Sequence, residues 1–184
     1  YAARHDETRT LLLGLLAIGL LASPSIPLLP WFAKEVFGGN ASHYGLLFAA
    51  TALGSLSASL WIALTGPAQN PARLALRSFS FGALCILVFA ETQALWLAVG
   101  LLVMAGFCFT HGAVALNTRI QLTVPVEVRG RVLALVSMAA LGAMPLGSLA
   151  IAFAAERFGT QASVAACALS AALLTYWLRR RMPV

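Results

Sequence analysis

The side chains that could do chemistry in this sequence are few, and the densest group of them lies in residues 117–131. This segment holds Arg119, Arg129 and Arg131, three of the twelve basic residues in the chain. It separates two apolar runs that are each long enough to cross a bilayer. We therefore expect the segment to lie in water.

The same segment carries signals for how its backbone folds. Proline suits a first helical turn, where its missing amide has no partner, and a carboxylate is favourable near the positive end of the helix dipole. Pro125 and Glu127 therefore predict the start of a short helix. Gly130 predicts a break before the next long helix, so that Arg129 and Arg131 lie on either side of a hinge.

A second group of candidates consists of polar and aromatic side chains within apolar runs. His111 is the titratable side chain, cysteines aside, that falls well inside such a run, and it either serves binding or gating or bonds a neighbouring helix. Hydroxyl and amide groups could contact a substrate or bond only to helices, and aromatic rings could stack on a substrate or simply pack. These further candidates are Ser23, Ser25, Thr51, Ser55, Phe107, Phe109, Thr110 and Asn117.

No residues have the spacing of a catalytic or metal site. The sequence has no glycine-rich phosphate loop, no nucleophile with a matched histidine and no carboxylate pair within an apolar run. Cys85, Cys108 and Cys167 lie in apolar runs without paired spacing, which predicts small packing residues and neither a disulfide nor a zinc site. We expect neither an enzyme nor a cofactor.

Composition places the chain in a membrane. It has 60% hydrophobic and 10% charged residues and a mean hydropathy of +0.88, whereas charged residues make up about a quarter of a soluble domain. The formal charge of +6 comes from arginines at the ends of apolar runs, not on one soluble face. This pattern excludes nucleic acid and predicts membrane lipid as the surroundings.

Six apolar runs predict six membrane-spanning helices in a single all-α bundle over residues 1–184. The predicted spans are residues 10–32, 44–65, 74–90, 94–116, 132–155 and 160–178. The first contains Pro24, Pro27 and Pro30, which predict either a frayed helix end or a bent gate helix. Small residues at four-residue spacing in the second and fifth spans predict helix-packing faces. They are Ala50, Gly54, Ala58, Ala139, Ala143 and Gly147.

The basic residues predict an orientation, because six crossings place both termini on one side. Most arginines then share that side, which is cytoplasmic by the positive-inside rule. The predicted cytoplasmic residues are Arg4, Arg9, Arg73, Arg77, Arg119, Arg129, Arg131 and Arg179 to Arg181, against Lys34 and Arg157 outside.

Three stretches in order are similar to a known family. They are Pro27-Leu-Leu-Pro-Trp followed by Tyr44-Gly-Leu-Leu-Phe-Ala-Ala; Asn117 with Ile120-Gln121, Pro125 and Arg129-Gly-Arg; and Pro145-Leu-Gly-Ser. Together they resemble the carboxy-terminal half of a major facilitator superfamily transporter, in the branch of bacterial exporters that includes siderophore and macrolide efflux proteins. The resemblance covers nearly the whole chain.

The resemblance implies a six-helix half of an inner-membrane exporter, built of two inverted three-helix repeats. Its partner would be a missing amino-terminal half, and its cargo a small amphipathic molecule carried by alternating access. The first, second, fourth and fifth spans would line the path. Resemblance and charge together assign a cytoplasmic gate to Asn117, Arg119, Gln121, Pro125, Arg129, Gly130 and Arg131.

The loop after the second span departs from the superfamily pattern. A Gly, Asp and Arg signature often stands there, but Gly66 is followed by Asn70 in the place of the acid, with Arg73 as the nearby base. A charge-relay role for this loop is therefore in doubt.

Two alternatives to an exporter stay open. One is a six-helix scaffold that oligomerises through its small-residue faces, and the other is a carrier that flips a lipid-like substrate between leaflets. Because the chain begins at Tyr1 and not at methionine, we expect it to be a fragment.

Overall fold

The computed structural model describes residues 13, 16, 18–66 and 69–181, without the side chains of residues 18, 22–25, 139–140 and 181. All regular structure in this part of the chain is helical. Residues 18–36 form an irregular helical segment, α1, in which the turns Ile18–Ala22 and Phe32–Val36 are π-helical and Ser23–Leu28 is a 3-10 helix. Proline removes the amide that a regular helix needs, and Pro27 lies inside the 3-10 helix.

Five long helices follow. They are α2 (Ala41–Thr65), α3 (Pro71–Glu91), α4 (Leu95–Thr123), α5 (Val126–Phe158) and α6 (Thr160–Arg181). Each is long and apolar enough to cross a membrane. The all-helical class is therefore confirmed, and the second to sixth predicted spans correspond to α2 to α6. The predicted first span begins outside the described residues.

Asparagine side chains fix where two of these helices begin. The Asn40 Oδ1 atom accepts a hydrogen bond from the Ser42 amide at 3.0 Å, ahead of α2. Asn70 does the same for the Arg73 amide at 3.4 Å, and Pro71 occupies the first position of α3. Asn70, which stands where the superfamily signature has an acid, is thus a helix cap.

The connection between α4 and α5 is shorter than the sequence predicted. Residues 117–123 form the last two turns of α4, and α5 begins at Val126, directly after Pro125. Glu127 lies in the first turn of α5, as expected. The predicted break at Gly130 is wrong, because α5 continues through this residue.

The bundle is organised around α4, which packs between α2 and α3. Helix α3 also packs on α6, while α5 packs mainly on α6 and α1. Large side chains fill two clusters, one towards each end of the bundle. The first includes Leu76, Phe79, Leu116, Ile120 and Leu178, and the second Phe32, Leu47, Phe89, Leu102 and Val164.

A close helix contact joins α2 to α4. The small-residue face of α2, which consists of Ala50, Gly54 and Ala58, is buried. A Cβ atom added to Gly54 would collide with the α4 backbone, and one added to Gly106 would collide with the backbone of Thr51. The absence of both side chains therefore lets the two backbones touch.

The two ends of the bundle differ in charge. Because successive helices alternate in direction, the ends of α2, α4 and α6 lie beside the starts of α3 and α5. Among the described residues this arginine-rich end holds Arg73, Arg77, Arg119, Arg129, Arg131, Arg179, Arg180 and Arg181, with the acid Glu127. The opposite end holds Lys34, Glu35, Glu91, Glu156 and Arg157.

Candidate functional site

A cavity of about 320 Å³ lies between α1, α2 and α4, with α3 behind it. We call it the Thr51 cavity. Its lining is apolar apart from the hydroxyl groups of Thr51 and Ser55. The other lining residues are Ile26, Leu29, Phe48, Ala52, Ile86, Leu102, Ala105, Gly106 and Phe109. A volume of this size and polarity suits a small, largely apolar molecule.

The two hydroxyl groups of the cavity already use their protons within the protein. Thr51 Oγ1 donates to the Phe48 carbonyl at 2.7 Å, and Ser55 Oγ donates to the Thr51 carbonyl at 3.1 Å. Ser55 Oγ also lies 3.5 Å from the carbonyl of Gly106 on α4. What the hydroxyl oxygens can still offer a ligand is acceptor capacity, so they suit a ligand that carries N–H or O–H donors.

Thr51, Ser55 and Phe109 were predicted from the sequence, but Phe48, a residue that is 49% exposed, was not. Phe48 lies three residues before Thr51 and seven before Ser55, which puts all three on one face of α2. That spacing was available in the sequence. The contributions of α1 and α3 to the lining were not, because they depend on how the helices cross.

A second cavity, of about 420 Å³, lies towards the arginine-rich end between α2, α3 and α4. We call it the His111 cavity. It is lined by Trp61, Ile62, Thr65, Gly66, Gln69, Pro71, Leu74, His111, Val114, Ala115 and Thr118. It is more polar than the Thr51 cavity, since it combines an imidazole, an amide and two hydroxyl groups.

His111 is held by the helix beside it. Its Nδ1 atom lies 3.5 Å from Ser78 Oγ on α3, and the centroid of its ring lies 5.5 Å from that of Phe107. Within the described residues the other ring nitrogen, Nε2, has no hydrogen-bond partner. The ring can therefore bond to its neighbour helix and still present a polar atom to the cavity.

The predicted gate residues divide into two groups. Arg129 donates from Nε and Nη2 to the Val124 carbonyl at 3.3 and 3.2 Å, and Asn117 bonds back to its own helix at 3.0 Å. Gln121 and Arg131 are exposed. Arg129 is thus a clamp across the α4–α5 connection, whereas Arg131 is available to another part of the protein.

Other predicted residues lie apart from the cavities or beyond what the structure describes. Thr110 is half-buried on α4 and Pro27 is exposed on α1, and neither lines the two cavities. Arg119 is half-buried near the end of α4. The side chains of Ser23 and Ala139 lie outside the described ones.

The buried thiols do not gather with other metal ligands. Cys85 and Cys108 are buried, and both are free. In residues 18–66 and 69–181 no three His, Cys, Asp or Glu side chains are placed to hold a metal ion. The groups that can contact a ligand in these two cavities are therefore the hydroxyl, imidazole and amide groups described above.

Five long apolar helices, with α4 packed between α2 and α3, define a multi-pass helical membrane protein. The family described as transmembrane secretion effector matches residues 1–184, so the chain belongs to that family, which is of the major facilitator type. The family gives it a role in membrane transport or secretion. A search of curated proteins finds no match.

Proposed function

We propose that the protein exports small amphipathic molecules, of the drug or siderophore class, by alternating access. The observation that carries the proposal is the Thr51 cavity, an apolar chamber beside the close α2–α4 contact. Its hydroxyl oxygens can accept hydrogen bonds while Phe48 and Phe109 offer ring faces. Such a lining suits a ligand that has both an apolar body and polar donors.

A transporter of this type would need a second bundle, because alternating access rocks one bundle against another around a shared site. We infer that α2 and α5 face that second bundle, since they are the least buried of the long helices. Their exposed large side chains include Phe48, Leu53, Leu56, Leu60, Leu64, Leu135, Met138, Leu141, Leu149 and Phe153. The second bundle would be the amino-terminal half of a twelve-span protein, and residues 1–184 would be one six-span unit of two inverted repeats.

The scaffold alternative is not supported, because the small-residue faces that it needs are buried within the bundle. Oligomerisation through the small-residue faces needs these faces to be exposed, but Ala50, Gly54 and Ala58 are buried. Ala143 and Gly147 of α5 are buried as well. No observation favours a lipid-like substrate over another amphipathic molecule.

The arginine-rich end would be cytoplasmic, in the inner membrane of a bacterial cell, with both termini on that side. Residues at the end of α4, in the α4–α5 connection and in the first turns of α5 would then form a cytoplasmic gate. Arg131 suits this role best, because it is exposed and a guanidinium can bond carboxylates and helix-end carbonyls of a second bundle.

The proposal is tested by efflux of a fluorescent amphipathic dye from cells that express the full-length protein. The variant Thr51→Val combined with Ser55→Ala removes both hydroxyl acceptors from the cavity. We expect about fivefold to thirtyfold weaker efflux at low dye concentration, because one or two hydrogen bonds to the dye are lost and each contributes about 1 kcal/mol.

The matched control is Ser59→Ala. Ser59 lies on the same helix and bonds back to it in the same way, at 3.0 Å from the Ser55 carbonyl, but it does not line the cavity. Equal efflux by the wild type and the double variant, or no dye efflux by the wild type, would contradict the proposed function.

A further inference from the structure

Helices α3 and α6 run antiparallel and bring two arginine-bearing ends together. Ser80 Oγ on α3 lies 2.9 Å from Thr175 Oγ1 on α6. Arg77 lies one turn before Ser80, and Arg179 lies one turn after Thr175. Because the two helices are antiparallel, both arginines lie one turn beyond this contact, at the arginine-rich end of the helix pair.

A tyrosine organises the arginines of α6. Arg180 donates from Nε and Nη2 to the Tyr176 hydroxyl at 3.0 and 2.6 Å. Its guanidinium carbon lies 4.9 Å from the centroid of the Tyr176 ring, and that of Arg179 lies 5.2 Å from it. A neutral side chain thus holds two cations near each other, which orients them without cancelling their charge.

These cations have no counter-ion in the described part of the chain. Neither Arg77, Arg179 nor Arg180 pairs with an acid there, and the described acid at this end, Glu127, is an exposed residue of α5. The surface next to the cations is apolar. Phe81, Leu84, Leu173, Leu174 and Trp177 on the same two helices are all exposed.

We propose that Arg77, Arg179 and Arg180, with Tyr176, form a binding site for the headgroup of an anionic phospholipid. Guanidinium groups bind phosphate oxygens through parallel hydrogen bonds at fixed geometry. The exposed apolar side chains continue from the site along α3 and α6, where they can contact the acyl chains. The site is independent of the transported cargo, and it occupies the leaflet at the arginine-rich end.

The test is native mass spectrometry of the purified full-length protein. The protein is equilibrated with equal amounts of phosphatidylglycerol and phosphatidylcholine that have the same acyl chains. We expect retention of phosphatidylglycerol over phosphatidylcholine. The variant Arg77→Gln, Arg179→Gln, Arg180→Gln should lose this preference by about tenfold or more, since each juxtamembrane cation contributes severalfold to anionic lipid binding.

A charge-matched control separates a site from general electrostatics. Lys34→Gln, Arg131→Gln, Arg157→Gln also removes three cations, and it includes Arg157, which stacks on the Phe153 ring at 4.5 Å. This control should keep the wild-type preference. A loss as large as that of the site variant would overturn the proposal, as would an unchanged preference in the site variant.

If the triple site variant does not fold, Arg77→Gln and Arg180→Gln are measured singly. Each should weaken phosphatidylglycerol binding about threefold to fivefold. Wild-type binding by both single variants would equally overturn the proposal.

Discussion

Most polar side chains inside the apolar helices form hydrogen bonds to their own helix or to a neighbouring one. Thr51 and Ser55 bond to carbonyls of their own helix, and Ser80 bonds to Thr175 on a neighbouring one. Among the described residues no buried side-chain nitrogen or oxygen lacks a hydrogen-bond partner. These hydrogen bonds therefore avoid the free-energy cost of an unpaired polar group in hydrocarbon, which is roughly several kcal/mol.

His111 is one residue at which the hydrogen bonding is incomplete, because its Nε2 atom has no partner among the described residues. Replacing it with leucine should leave expression and insertion intact and lower dye efflux about fivefold, the value of about one hydrogen bond to cargo or gate. Ser78→Ala keeps the imidazole but removes its partner at 3.5 Å. Because the ring is then less well oriented, we expect a smaller loss in this variant.

Efflux is measured across a range of external pH for both variants. Ser170→Ala is the control, since Ser170 is exposed on α6 and bonds only to its own helix at 2.8 Å. If His111→Leu transports like the wild type at every pH, the histidine is a packing residue.

Residue types that are out of place in an apolar run could be found from the sequence alone. His111, Thr51 and Ser55 were identified in this way, and the structure places each of them at a cavity. Their partners on neighbouring helices could not be predicted from the sequence. The proximity of His111 to Ser78 depends on the crossing and register of α3 against α4, which a single sequence does not encode in any local signal.

At the scale of elements, the α2–α4 contact depends on two glycines. Gly54→Ala should destabilise the protein by about 1 to 3 kcal/mol, the usual cost of overpacking, because the new Cβ meets backbone that cannot move aside. The measurement is thermal unfolding of the purified protein in detergent.

Gly45→Ala is the matched control on the same helix. A Cβ atom at Gly45 meets nothing within 4 Å, so this change should be neutral or slightly stabilising, as alanine is the better helix former. Equal unfolding temperatures for the two variants would show that the glycine contact does not hold the helices together.

The α4–α5 connection is the second element-level feature with a clear mechanical basis. Arg129→Lys loses the two-nitrogen contact with the Val124 carbonyl and should lower the free energy of unfolding by about 1 kcal/mol. Arg131→Lys should leave stability unchanged, because Arg131 is exposed, but lower efflux severalfold if its guanidinium closes the gate.

Unfolding and efflux are measured on both variants, so that a stability effect and a transport effect can be told apart. Wild-type efflux by Arg131→Lys would mean that Arg131 contributes only its positive charge to membrane orientation and does not close the gate. Unchanged stability of Arg129→Lys would mean that the contact across the connection contributes nothing.

Helix positions were predictable, but helix ends at the charged segment were not. Apolar length identified the cores of α2 to α6, since a bilayer needs about 20 apolar residues per span. The charged residues after position 116 were then predicted to lie outside the fourth helix, although a helix can continue past the hydrocarbon into water. Residues 117–123 are helical for this reason. Gly130 stays in α5 because glycine costs a helix only about 1 kcal/mol, and the turns that follow it bury Val132 and Val136.

For the whole molecule, the distribution of arginines is the feature that determines the orientation in a membrane. The arginine-rich end and the opposite end lie on opposite sides of the apolar helices, and three of the four acids among the described residues lie at the opposite end. Since translocation of basic residues is disfavoured, this asymmetry predicts a single orientation with the arginine-rich end in the cytoplasm.

That orientation is tested with a short epitope inserted in the connections on either side of α2. An epitope after Gly38 should be accessible from outside intact cells, and one after Gln69 should become accessible only when the membrane is opened. Both sites lie outside the helices. The insertion after Gln69 leaves the Asn70 cap and Pro71 attached to α3. Accessibility of the two epitopes from the same side would mean that α2 does not cross the membrane, and the cytoplasmic gate and the lipid site would then need a different placement.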